Sequence, residues 1–174
     1  MVSLETGICS SCGQRRKLQH LRRLYAQAAE RLQRGEAAYK QQRYGEARKT
    51  LESLIEDFGD ALYRSHLVIY SSLHHLTALC VELGDRPAAG GYCRRAISCL
   101  EEMFPAYHTE TAMMRQELAH IEWRLESHRA VAVDEFDRAL EIVAVCYGKD
   151  RPAFMELTEA MAACAAGEPP PPPS

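Results

Sequence analysis

The stretch Gly35-Glu36-Ala37-Ala38-Tyr39-Lys40-Gln41-Gln42-Arg43-Tyr44-Gly45-Glu46-Ala47-Arg48-Lys49-Thr50-Leu51-Glu52-Ser53-Leu54 reads as two helical segments joined by a short turn. Gly35 and Ala38, three residues apart, place small groups on one face of a first helix. A turn follows around Gln42 and Arg43. Beyond it Ala47, Leu51 and Leu54 recur at steps of four and three, the period of one buried helical stripe. Small residues on facing positions let two antiparallel helices approach closely, and Tyr44 is placed to fill the space at their turn.

The same frame returns twice. Leu83-Gly84-Asp85-Arg86 is a helix end with a glycine stop, followed by Ala89, Cys93 and Ala96. Leu125-Glu126-Ser127-His128-Arg129 takes the place of the third turn, followed by Ala132, Phe136 and Ala139. Ala47, Ala89 and Ala132 are thus 42 and 43 residues apart. The unit resembles a tetratricopeptide repeat, whose usual period is about 34 residues. The excess falls in the links at Asp57–Tyr63 and Phe104–Thr109, which contain Gly59 and Pro105. The expected fold is all-α: a tetratricopeptide-like α-solenoid of about three antiparallel helix pairs plus a C-terminal capping helix. Helices are predicted at 18–41, 44–57, 62–83, 86–103, 109–127, 129–147 and 152–165. The last has Asp150 as its expected cap, Pro152 in its first turn, and a Phe154, Leu157, Met161 stripe that shields the open end of the stack. Replacing Ala89 by leucine is expected to overpack a helix pair and cost about 1–3 kcal/mol, measured by denaturant unfolding.

Outside the helices, residues 1–17 read as an irregular segment, 18–166 as the helical domain, and 167–174 as a mobile, disordered proline-rich tail with five consecutive prolines. Composition agrees: the chain is rich in Ala, Leu, Glu and Arg, and its 174 residues contain no asparagine. No window reaches the roughly 18 apolar residues of a membrane span, and no signal-peptide pattern is present. The seven cysteines show no disulfide rhythm, and Cys80, Cys93, Cys99 and Cys146 fall inside helical patterns as small core residues. A reducing compartment, cytoplasm or nucleus, is expected.

The formal net charge of −3 is unevenly spread, with eleven Lys/Arg against three acids in residues 15–49 and ten against twenty in 50–174. Such an end can meet nucleic acid or an acidic protein. No aromatic platform interleaves the basic residues, so a solvated or acid-packed helix face is the preferred reading and nucleic acid is not the expected partner.

Candidate chemistry is sparse. Cys9-x-x-Cys12 followed by Gly13 is half of a zinc knuckle, since two thiolates at that spacing reach one tetrahedral ion. A closed site needs four ligands, and His20 is the only nearby substitute, so an empty half-site is preferred over bound zinc. A redox role is less favoured, because no strand–helix unit is predicted around the pair. His74, His75, His120 and His128 read as groove or surface residues, and adjacent helical histidines point about 100° apart and do not share a metal. Met113, Met114 and Trp123 read as core filling. Glu101-Glu102 and Asp134-Glu135 read as solvated helix charges. No phosphate loop, nucleophile elbow or zinc-protease motif appears. In the frame set by Ala47, groove positions are Leu32 and Glu36, then His74, His75 and Ala78, then Glu117, Leu118 and Ile121. Two of these are acids, so an anionic peptide C-terminus is not expected to bind there.

The repeat spacing and the Cys9-x-x-Cys12-Gly13 at its edge resemble the C-terminal region of SET-and-MYND-domain lysine methyltransferases, most closely the subfamily with tetratricopeptide repeats. Phe104-Pro105-Ala106-Tyr107-His108 and Tyr147-Gly148-Lys149-Asp150-Arg151-Pro152 resemble that family's inter-pair links, and those of kinesin-light-chain-type repeats. The likeness covers about residues 8–165. It implies a non-catalytic C-terminal helical domain that packs on a SET domain and mediates protein–protein interaction. S-adenosylmethionine binding in the family uses an Asn-His motif of the SET domain, which a chain without asparagine lacks. No cofactor is therefore expected in this chain; S-adenosylmethionine belongs to a longer parent protein, and the MYND zinc cluster is absent. The other reading is a free-standing adaptor whose concave face binds a peptide or partner helix.

Overall fold

A computed structural model describes residues 6–8, 15–62 and 66–171. The fold is all-α, with seven helices among the described residues: α1 (Leu18–Lys40), α2 (Tyr44–Phe58), α3 (Leu67–Glu82), α4 (Arg86–Met103), α5 (Thr109–Trp123), α6 (Arg129–Tyr147) and α7 (Pro152–Ala166). Where a single helical domain was expected over 18–166, the helices fall into two compact units, Met1–Ser72 and Leu73–Ser174, with α3 crossing the boundary.

In the first unit α1 packs on α2. The buried residues include Ala38, Ala47, Leu51 and Leu54 of the quoted stretch, with Ala28 before it on α1 and Phe58 beyond it on α2. Gly35 marks the closest approach, because a Cβ there would lie 2.6 Å from Leu51 Cδ2 and 2.8 Å from its Cγ. Leu51 is fully buried and has no space to yield. Gly35→Ala sets two effects against each other. Helix propensity favours alanine by about 1 kcal/mol, whereas overpacking costs about 1–3 kcal/mol. With Leu51 walled in, overpacking wins, and the variant is expected to melt at a lower temperature than the native chain. A raised melting temperature would mean that the two helices are farther apart than described.

The turns within the first two pairs share one geometry. Arg43 N–H bonds the Ala38 carbonyl at 2.9 Å with Gln42 at φ +58°, and Asp85 N–H bonds the Cys80 carbonyl at 2.8 Å with Gly84 at φ +74°. This is the left-handed helix stop, in which the residue after it reaches back five positions. Tyr39 and Tyr44 meet across the first turn with centroids 5.8 Å apart, so Tyr44 fills the turn as the sequence indicated.

In the second unit α4 packs on α5, α5 on α6 and α6 on α7, the successive contacts of a helical-repeat stack. The fourth residues of α2, α4 and α6 are Ala47, Ala89 and Ala132, and all three have zero exposure. Four and seven residues on lie Leu51 and Leu54, Cys93 and Ala96, and Phe136 and Ala139, again all fully buried. The repeat read from the sequence is therefore the repeat of the core. α7 closes the unit with Leu157 and Cys164 in a cluster with Ala112, Ala119, Trp123, Ala132 and Phe136.

Four local features depart from the sequence reading, the first being that α3 begins at Leu67 rather than at 62. Thr6–Ile8 (β1) and Arg15–Lys17 (β2) pair antiparallel, Thr6 opposite Lys17, in a segment expected to be irregular, and β2 runs directly into α1. α5 stops at Trp123 rather than 127, because Leu125 turns extended and Glu126–His128 form a short 3-10 turn. α7 is capped at Arg151, which makes no side-chain capping bond, and not at Asp150. Pro152 at the first helical position starts the helix without needing that bond.

Candidate functional site

Cys9 and Cys12, the sequence-predicted half-site for zinc, lie outside the described residues. His20, their proposed companion, is exposed near the start of α1. Among the described residues no cluster of three or more His, Cys, Asp or Glu side chains is placed to hold a metal ion. Cys80, Cys93, Cys99, Cys146 and Cys164 are free thiols. Burial pushes the Cys93 thiol well above its ordinary range, and its Sγ donates to the Met114 carbonyl at 3.3 Å. A thiol so held is protonated and unreactive, which fits core packing.

Several basic residues of 15–49 are matched within their own unit. Arg31 bonds Asp57 and the Ser53 carbonyl and lies over the Phe58 ring, 5.0 Å from its centroid. Arg43 pairs with Glu46, and Arg48 with Glu52 at 2.9 Å. Exposed pairs of this kind contribute roughly 0–1 kcal/mol each. They nevertheless reduce the field that this end presents to an anionic partner.

The expected groove positions divide. Leu118 and Ile121 are buried and belong to the core, a correction to their placement in the groove. His74 of α3 and Glu117 of α5 do face each other, with Nε2 3.9 Å from Oε2. Burial raises the Glu117 carboxyl above its ordinary range, and His74 partly offsets this. The helix face here is half-buried and of mixed polarity.

Of the charges that the sequence marked as solvated, Glu101, Glu102 and Asp134 are exposed, whereas Glu135 is mostly buried and tied to α5. Arg115, buried on α5, bonds Glu101 of α4 with one nitrogen and Glu135 of α6 with another, the latter at 2.5 Å. Glu122, 1% exposed, is bonded by Arg94 of α4 and by His128 Nδ1, the latter at 2.5 Å. That second contact fixes the 3-10 turn after α5. Single-residue periodicity held no signal for these pairs, since each partner comes from a different helix.

The C-terminal end of α5 carries the densest aromatic and polar arrangement described. His120 stacks on Trp123 at 6.1 Å and meets Phe136 edge-on at 5.1 Å, while Trp123 and Phe136 are 6.0 Å apart. Trp123 Nε1 donates to the Glu168 carbonyl at 3.0 Å; Arg124 donates to the His120 carbonyl at 3.0 Å and to the Pro171 carbonyl at 2.7 Å. The described part of the tail, expected to be mobile, is therefore held to α5.

Burial lowers the His120 pKa below its ordinary 6.5, and the neighbouring Arg124 charge lowers it further. A depressed folded-state pKa means that the unfolded chain takes up the proton first. The stabilisation from neutral His120 is present above about pH 6.5 and is lost as pH falls through the lower folded value. The His120 ring resonances in NMR are expected to titrate with a midpoint below 6.5. A midpoint at or above that value would show that the ring is not buried against Trp123 and Phe136.

These elements define the class: an all-α helical-repeat scaffold whose charged residues tie its helices together. No protein-family model matches the chain, and no curated protein sequence matches it significantly. Among the described residues no helix is long and apolar enough to cross a membrane.

Proposed function

We propose that this chain is the non-catalytic C-terminal helical-repeat domain of a SET-and-MYND-type protein-lysine methyltransferase, packing on the SET domain and offering a surface for protein–protein interaction. The observation that carries the repeat-scaffold part is the alanine frame, Ala47, Ala89 and Ala132 at the same buried position of α2, α4 and α6. The methyltransferase link rests on Cys9-x-x-Cys12-Gly13 preceding that stack by one short step in the sequence. In such a protein Cys9 and Cys12 would give two thiolates to a zinc site completed by upstream residues, and S-adenosylmethionine would bind only the SET domain. The domain works by shape: its helix faces are held rigid by buried ties, and its His74–Glu117 face favours mixed apolar and polar contacts over capture of a free carboxylate.

The test is the complete transcript together with activity of the isolated chain. An in-frame SET domain upstream, with no methyl transfer from labelled S-adenosylmethionine by residues 1–174 alone, is the expected result. A transcript without a SET domain would overturn the methyltransferase reading and leave a free-standing tetratricopeptide adaptor. Saturable S-adenosylmethionine binding by the isolated chain would overturn its non-catalytic role.

A further inference from the structure

We propose that the C-terminal end of α5 is a recognition site for a proline-rich extended segment, occupied in this chain by its own tail. The inference stands on geometry within the Leu73–Ser174 unit and does not depend on the methyltransferase reading. The donors are consecutive in sequence, Trp123 Nε1 and the Arg124 guanidinium, and the acceptors are three residues apart, the carbonyls of Glu168 and Pro171. A polyproline II helix has three residues per turn, so carbonyls i and i+3 lie along one edge, about 9 Å apart. Two neighbouring long side chains on a helix end can span that edge.

The chemistry of the two surfaces is complementary. Prolines 169 to 171 have no N–H, so this backbone offers only acceptors. Indole and guanidinium offer only donors. Glu168 precedes a proline and is kept out of helical conformation, which extends the acceptor row by one residue. Of the described tail residues Pro170 alone is half-buried, while Glu168, Pro169 and Pro171 are exposed, as expected when one residue per turn faces the platform. Behind the donors, Trp123 is braced by His120 and Phe136. Aromatic-lined surfaces are a general means of reading polyproline segments, and here the indole N–H adds a bond to a main-chain carbonyl.

The delivery of the tail is also built in. Gly167 adopts φ +84°, and Glu168 N–H bonds back to the Ala163 carbonyl at 3.0 Å, which ends α7 and directs the chain along α5. Gly167 holds a left-handed φ that L side chains rarely adopt, and this turn is what calls for glycine; the nearest group to a Cβ there, Arg129 Nη1 at 2.9 Å, is the movable end of an exposed side chain. A tether this short gives the tail an effective concentration on the order of millimolar, enough to occupy the site and screen it from weaker ligands. The partner class in trans is therefore another proline-rich segment that competes with the tail.

Trp123 is the only tryptophan, so its emission and its indole N–H resonance report the site directly. The test uses the full chain with P169G, P170G and P171G, which keeps the length but removes the preorganised acceptor row. Acrylamide quenching of Trp123 is expected to rise in the variant. Adding the synthetic peptide Gly-Glu-Pro-Pro-Pro-Pro-Pro-Ser should reverse this saturably, and the native chain should bind that peptide at least about tenfold more weakly because its own tail competes. An alanine-for-proline peptide should have no effect. Unchanged quenching in the variant, or no saturable response to the peptide up to about 5 mM, overturns the proposal and leaves the tail a fixed structural strap. If the variant loses its helical circular dichroism, the single substitution P170G takes its place, and the same peptide is titrated into it. A saturable shift of the Trp123 indole resonance supports the site, and its absence overturns it.

Discussion

Phe136→Ala is expected to cost about 3–5 kcal/mol of unfolding free energy, at the upper end of that range for a phenylalanine truncation. Phe136 is fully buried and meets the His120 and Trp123 rings. What surrounds it decides the magnitude. Ala112, Ala119, Ala132 and Ala139 share its cluster with Leu140, Ile142, Val143 and Leu157, and the alanine methyl groups cannot swing into the space that a lost ring leaves. The cavity is therefore refilled only in part, and the loss is transfer energy plus cavity. Against a total stability of about 5–15 kcal/mol for an ordinary domain, this is a large fraction. Urea unfolding followed by Trp123 emission measures it, with Phe136→Leu as the milder companion. A cost below about 1 kcal/mol would refute the described packing of α5 on α6.

Arg115→Ala should cost about 3 kcal/mol, the lower end of the range of roughly 3–5 kcal/mol for breaking a buried pair. The Arg115 side chain is 10% exposed and Glu135 13%, so removing the cation strands an acid that is mostly out of water. Glu101 is 48% exposed and can return to solvent, which is why the full range is not reached. The penalty comes from the stranded charge more than from the lost bond. Replacing both partners by apolar residues of similar volume, as in R115M with E135L, should recover most of the loss. A double-mutant cycle measures the coupling. A coupling energy near zero would mean that Arg115 does not tie α5 to α6 through Glu135.

Much of the fold was legible from residue spacing, because the information needed is local. The predicted limits of the helices at 44–57, 86–103, 129–147 and 152–165 agree with the observed ones to within one residue. Helical periodicity, a glycine stop and a proline start are all read over a few residues. The arrangement at the C-terminal end of α5 was less legible. His120, Trp123 and Arg124 gave no motif, and Trp123 read as core filling, which is half of its role. Its other half, the bond to Glu168, joins residues 45 positions apart.

The sequence by itself determined the helices, the two-fold recurrence of the small-residue frame, and the burial of Ala47, Ala89 and Ala132. These follow because a helical stripe of alanine and leucine has one face to hide and one way to repeat. Only the tertiary structure decided which charges are internal. Glu135 and Glu122 look like any solvated helix acid until Arg115 and Arg94 arrive from neighbouring helices. It also decided where α5 ends, since the pull of Glu122 on His128 closes a turn that helical periodicity would have continued. It decided the path of the tail, whose prolines dictate extension but not direction. The physical reason is the same in each case: propensity and periodicity act along the chain, whereas an ion pair or a docked segment needs two groups that only the packed helices bring together.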